Sequence, residues 1–156
     1  MLRRKIITFL IAASKNRRKN LNPKRLTRNR ELLDLNLTDV PEKFDWRDKK
    51  VVTEVRNQGK CGACWAHSIV ATIESMVAIK TNKLTEFSVQ QLIDCSQEDN
   101  QSCHGGDTCE TLYWMDKNNV VLESAKMYPN KDDSEACKSR LDAKGVRIES
   151  NYTCDR

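Results

Sequence analysis

The stretch Asn57-Gln58-Gly59-Lys60-Cys61-Gly62-Ala63-Cys64-Trp65-Ala66 decides how the rest of the sequence is read. Asn57 to Lys60 carries turn chemistry, with Asn and Gly two residues apart, and an apolar stripe begins just beyond it. Trp65, Ile69, Val70, Ile73, Met76 and Val77 recur at three- and four-residue intervals, so the sequence predicts a helix from Cys64 to about Lys80 with that stripe on its core side. Cys64 then opens a helix, where unpaired amides and the helix dipole favour an anionic sulfur.

Working outward, Phe44-Asp45-Trp46-Arg47 reads as an extended entry with Trp46 as a buried anchor, and Val51-Val52-Thr53-Glu54-Val55 as a short β segment. On the other side, Ser88-Val89-Gln90-Gln91 has the pattern of a capping box, which predicts a short helix through Cys95. Asp107 opens a third helix, with Leu112, Tyr113 and Met115 on or near its buried side and Asn118-Asn119 at its end. Past Tyr128-Pro129 the pattern becomes loop-rich. These elements describe a small helical layer held by disulfides.

Charge separates this layer from what precedes it. Of the 156 residues, 27 are Lys or Arg and 22 Asp or Glu, for a net charge of +5. Residues 1 to 40 hold 11 basic and 3 acidic groups, whereas residues 41 to 156 hold 16 and 19. The folded part is therefore mildly acidic, which argues against a nucleic-acid partner. Met1 to Lys5 is basic, Ile6 to Ala13 apolar, and Ala12-Ala13-Ser14 small, the layout of a candidate signal peptide, with a basic unordered N-terminus as the plainer reading. Asn16 to Arg30 is too polar to offset its own ordering entropy. Glu31 to Leu37 predicts a brief helical turn that Pro41 closes, so residues 1 to 39 read as leader and remnant pro-region, and the domain as 40 to 156. The longest apolar run is far short of the roughly 20 residues that span a bilayer. Seven cysteines and three Asn-x-Ser/Thr sequons, at Asn36, Asn100 and Asn151, fit a disulfide-forming protein of the secretory route.

Three chemistries compete for Cys61-x-x-Cys64. A zinc site would need a second ligand pair, and Cys103-His104 with Cys109 lack its clean spacing. A thioredoxin-like redox pair has the right local context but lacks the surrounding alternation of strands and helices. In the third, Cys64 is a lone nucleophile and Cys61 forms a structural bridge.

Phe44-Asp45-Trp46-Arg47, Asn57 to Ala66, Ser88-Val89-Gln90-Gln91-Leu92-Ile93-Asp94-Cys95, Cys103-His104-Gly105-Gly106 and Tyr128-Pro129, taken in order, resemble the papain family of cysteine peptidases over roughly residues 40 to 140. The resemblance implies an α+β fold of which this chain covers the mainly helical, disulfide-linked left domain, without the family's β-barrel domain. It makes Cys64 the nucleophile and Gln58 an oxyanion donor alongside the Cys64 amide. Gly105 and Gly106 become a bare backbone strip for an extended substrate. In their plain roles Gln58 is a turn residue and the two glycines a tight turn. The resemblance also pairs Cys61 with Cys103 and Cys95 with Cys137. Cys109 and Cys154 have no evident counterpart, so they pair with each other or one stays free.

The family's general base lies roughly 130 to 150 residues past the nucleophile, beyond Arg156. The histidines here are His67 and His104. His67, where the family usually carries an aromatic residue, reads as packed or partly satisfied, and His104 as a loop residue. The expectation is a fragment or truncated product of a lysosomal or secreted peptidase, inactive or nearly so by itself. The complete enzyme would be monomeric, use no metal or cofactor, cut peptide or protein substrates and meet cystatin-like inhibitors. The competing expectation is a non-catalytic fragment that binds an inhibitor or a propeptide.

Overall fold

The apolar stripe after Cys64 folds as a helix. In the computed structural model, whose described residues are 41–96, 100–140 and 142–148, helix α1 runs Cys64–Thr81. Trp65, Ala66, Ile69, Val70, Ile73 and Ala78 are buried along it. Met76, expected on the same stripe, is 42% exposed although it stands in line with Trp65 and Ile69. The helix ends at Asn82, whose N–H still donates to the Ala78 carbonyl and whose left-handed φ of 56° turns the chain out of the helix. The chain divides into two units, Met1–Phe44 and Asp45–Arg156, and α1 belongs to the second. The expected leader, and the helical turn at Glu31 to Leu37, lie outside the described residues.

Helix α2, Val89–Cys95, begins at Ser88, whose extended backbone lets its Oγ accept from the Gln91 N–H at 2.9 Å. Only half of the expected capping box forms. The Ser88 N–H donates instead to the Glu123 carbonyl at 2.8 Å, which releases the Gln91 side chain to accept from Glu123 N and donate to Val121 O. A neighbouring segment has displaced the local partner. That segment holds β1, Leu122–Glu123, which pairs antiparallel with β2, Gly145–Val146. Strands of two residues are too short to leave an alternation in sequence.

Helix α3, Thr108–Lys117, is capped by Asp107, which accepts from the N–H groups of Cys109 and Glu110 at 2.7 and 3.0 Å. Thr111, Trp114 and Met115 are its buried residues. Tyr113, expected near that side, is 51% exposed, since it stands roughly 200° around the helix from both Thr111 and Met115. Helix α1 packs on α2 and on α3. The core joins its stripe to Phe87, Leu92, Ile93, Trp114, Met115 and Leu122. Burying each such side chain contributes about 1.5–3 kcal/mol.

Two further expectations fail for local reasons. Trp46 is 39% exposed, not a buried anchor. Residues 45 to 50 fold into tight turns, closed by Asp48, Lys49 and Lys50 N–H groups on the carbonyls three residues back, and Asp45 binds Arg47 from the side. Val51 to Val55 forms no strand. Its polar member Thr53 donates to Glu74 on α1 at 2.8 Å, so a side chain, not a ladder, holds this segment.

The tail beyond Tyr128 has little regular structure and is held by the polar face of α2. Gln90 accepts from Lys131 N at 2.8 Å and donates to Asp133 O at 2.6 Å, and Asp94 accepts from Glu135 N at 2.8 Å. A disulfide between Cys95 and Cys137 adds a covalent hold. Tyr128 donates to the Asp94 carboxylate at 2.8 Å, and burial above all pushes its phenol up to about 12.

Candidate active site

An open groove of about 630 Å³ runs between the first turn of α1 and the segment that precedes it. Val55, Arg56, Asn57 and Gln58 line one side, and Cys64, His67 and Ser68 the other. The wall is built by turns. Asn57 accepts the Gly59 N–H at 2.8 Å, and Gly59 takes a left-handed φ of 63° that a side chain would disfavour. Cys61 is disulfide-bonded to Cys103. The Gly62 N–H donates to the Cys103 carbonyl at 2.7 Å, and a Cβ on Gly62 would lie 2.6 Å from that oxygen. Only glycine fits there.

Cys64 follows two residues later as the first residue of α1, exposed, and the one free cysteine among the described residues. Its cap position, Ala63, has φ −100° and ψ 24° and makes no side-chain cap. The Ala63 N–H instead closes a turn onto the Cys61 carbonyl at 2.7 Å. Gln58, half-buried, faces the same groove as Cys64. The Cys61–Cys103 bridge brings the glycine pair alongside, with the Gly105 nitrogen 3.8 Å from where a Gly62 Cβ would stand. The two glycines answer different needs. Gly105 has a φ of 120° and open space around it, whereas any Cβ on Gly106 would overlap the Trp65 ring and the Asn100 side chain. Structure thus brings Cys64 and Gln58 to one groove and sets Gly105 beside the loop that delivers them.

The disulfide also decides among the competing chemistries. Cys61 has its sulfur in a bond to Cys103, so it cannot exchange with Cys64 as a redox pair, and neither it nor Cys103 offers a thiolate to zinc. Cys109 is disulfide-bonded as well, which removes the alternative that it stays free; Cys154 lies outside the described residues. His104 is exposed at the end of a 3-10 turn, Ser102–His104. His67 is half-buried, and burial first, then the nearby Arg56 charge, hold its imidazole below the usual range against an opposing pull from Asp132. Neutral imidazole is favoured there.

Sequence reasoning missed the pair behind the groove. Glu74 on α1 is fully buried, forms an ion pair with Arg56, accepts from Thr53 at 2.8 Å, and accepts from the Phe87 N–H at 2.7 Å. One signal was present: a lone acid four residues after Val70 and three before Val77, on the apolar face of a helix.

Among known proteins, residues 40–155 match the model of the papain family cysteine proteases. The chain is 50% identical to cathepsin O of Homo sapiens over 98 residues, 63% of this chain and 30% of that protein. It is 42% identical to the KDEL-tailed cysteine endopeptidase CEP2 of Arabidopsis thaliana over 107 residues, 69% of this chain and 29% of that protein. The chain therefore spans about a third of the length of the curated relatives it matches. Among solved structures, a cysteine protease of Carica candamarcensis in complex with E-64 superimposes with a TM-score of 0.61 at 35% identity, covering 70% of this chain and 50% of that one.

Proposed function

Because this chain belongs to the papain family of cysteine proteases, we propose that it carries the nucleophilic half of a peptidase site, with Cys64 as nucleophile and Gln58 as oxyanion donor. The observation that carries the proposal is a single one: Cys64 is a free, exposed thiol at the first residue of α1, in one groove with Gln58. In the proposed reaction the Cys64 sulfur attacks the peptide carbonyl and the carbonyl π electrons move to oxygen. The Cys64 N–H and the Gln58 side-chain amide hold the resulting oxyanion. Collapse expels the amine, which takes up a proton, and leaves a thioester that water cleaves to acid and free thiol. Loss of one such donor costs about 10²–10³ in kcat.

The Gly105-Gly106 strip is proposed to pair with an extended substrate backbone. Its support is Gly105, which stands beside Gly62 with open space where a side chain would project. The general base belongs to the complete protein in this reading: His104 is exposed on a turn of its own, and His67 lies on the nucleophile's own helix, where the family resemblance expects a packed residue. Its substrates are peptides or proteins. The disulfides support a lysosomal or secreted location.

The test is labelling of the complete protein by an epoxide or vinyl-sulfone active-site probe. Parent protein takes the label and Cys64→Ala does not; equal labelling of both removes the proposal. Capture of a cystatin-like inhibitor, with no Cys64-dependent turnover of a dipeptide substrate, would assign the chain to inhibitor binding instead.

A further inference from the structure

The loop that carries Gln58 has two fixed ends, and they are fixed differently. Its far end is covalent, through Cys61–Cys103 and the Gly62 hydrogen bond to Cys103. Its near end is Arg56, whose Nη2 meets both Thr53 Oγ1 at 3.2 Å and the carboxylate of Glu74. Glu74 is fully buried, and its other oxygen is committed to the Phe87 N–H. It also stands on α1, ten residues after Cys64, so nucleophile and carboxylate belong to one rigid rod about 15 Å apart along the axis. We propose that the Arg56–Glu74 pair is a positioning clamp: it fixes the segment bearing Gln58 to the helix bearing Cys64, and so sets the oxyanion donor in register with the nucleophile.

A charge pair serves this purpose better than an apolar contact would. The guanidinium is planar, and its Nη2 meets the Glu74 carboxylate and Thr53 Oγ1 together, so the group fixes direction as well as distance. Its carboxylate partner is walled in on every side and cannot follow if the loop shifts. Gln58 is two residues along from Arg56, and Asn57 between them is locked in its turn onto Gly59. Little slack separates the clamp from the donor. A displacement of about 1 Å at a positioned group can cost on the order of 10²-fold in rate.

The inference rests on the peptidase reading, and a double-mutant cycle separates the two. Steady-state kinetics of peptide-amide hydrolysis are measured for the complete protein as parent, Cys64→Ala, Gln58→Ala, Arg56→Ala, Arg56→Lys, and each Arg56 variant combined with Gln58→Ala. Arg56→Ala should lose about 10-fold in kcat with KM changed less than about 3-fold, and Arg56→Lys, which keeps the charge but not the planar group, should recover part of that loss. In the Gln58→Ala background, either Arg56 change should cost less than about 2-fold, because the group it positions is gone. Multiplicative losses in the double variants would overturn the clamp and leave Arg56 a residue of general stability. Should Arg56→Ala fail to fold, the Arg56→Lys arm carries the same cycle. Turnover that survives Cys64→Ala removes both readings, whereas Cys64-dependent turnover with multiplicative losses removes the clamp alone.

Discussion

Three α-helices begin among the described residues, and the start of α1 is unlike the other two. Ser88 and Asp107 approach α2 and α3 in extended conformation, and their side chains accept first-turn amides. Ala63 approaches α1 from a turn, at φ −100° and ψ 24°, with no side-chain cap. Its geometry is imposed from elsewhere, by a disulfide to Cys103, by the Cys103 carbonyl and, across the loop, by Glu74. A local cap fixes a helix end by its own residues. A remote tether fixes that end relative to other parts of the molecule, which is what an active site assembled from separate segments requires.

The largest expected effect comes from cutting a remote tether. Glu74→Ala leaves the Arg56 guanidinium facing a cavity and strands Thr53 and the Phe87 N–H, so it should lower stability by about 3–5 kcal/mol. Urea unfolding near neutral pH measures it. A loss no larger than that of a cap deletion would abolish the distinction between the two kinds of helix start.

Next in size is a pH effect confined to the capped side. Tyr128 ties α2 at both ends, accepting from Ser88 at its carbonyl and donating from its phenol to Asp94. Its phenol is pushed up to about 12, so the folded state resists losing a proton that the unfolded chain releases near 10. The unfolded state then binds fewer protons between those values, and stability falls as pH rises through them. The contribution at stake is on the order of 3 kcal/mol, fully present below pH about 10. Unfolding midpoints between pH 9 and 12 should drop more steeply for the parent than for Tyr128→Phe. Parallel curves would show that Tyr128 is not the group responsible.

The same contrast explains what could be read from sequence. Helices α1, α2 and α3 were legible because apolar spacing and the Ser88 and Asp107 caps are local signals. Cys64 and Gln58 were legible as a motif, since the turn residues between them lie within seven positions. Arg56 and Glu74 were not, because their relation spans 18 residues and exists only once α1 has packed beside the loop. Gln91 fell between: the capping-box pattern was present, but β1, invisible at two residues, supplied the acceptor first. Trp46 was expected buried, but residues 45 to 50 close on themselves in turns and leave it 39% exposed. Asn100, at one of the three sequons, has a structural part that its sequence did not signal: the side chain is buried, donating to Thr111 at 3.0 Å and accepting from Asp107 N at 2.8 Å, so the folded molecule uses it as a brace.

The smallest effects test the caps themselves, and their order matters more than their size. Ser88→Ala and Asp107→Ala each remove a side-chain acceptor from first-turn amides, and each should cost about 1 kcal/mol, typical of a lost cap. Ser88→Ala should cost more than Asp107→Ala, because the Ser88 hydroxyl is buried and also donates to Tyr128 O at 2.7 Å, leaving that carbonyl unpaired. The reverse change at α1 is the sharper measurement. Ala63→Ser gives that helix start a capping side chain, yet the backbone there is not the extended one from which a hydroxyl reaches the amides two and three residues on. It should therefore gain less than about 0.5 kcal/mol and leave Cys64-dependent turnover within about 2-fold. A gain of about 1 kcal/mol would mean that α1 lacks a cap only because its residue is alanine. A gain near zero would mean that its start is held by the loop, the disulfide and Glu74, and that no local side chain can take their place.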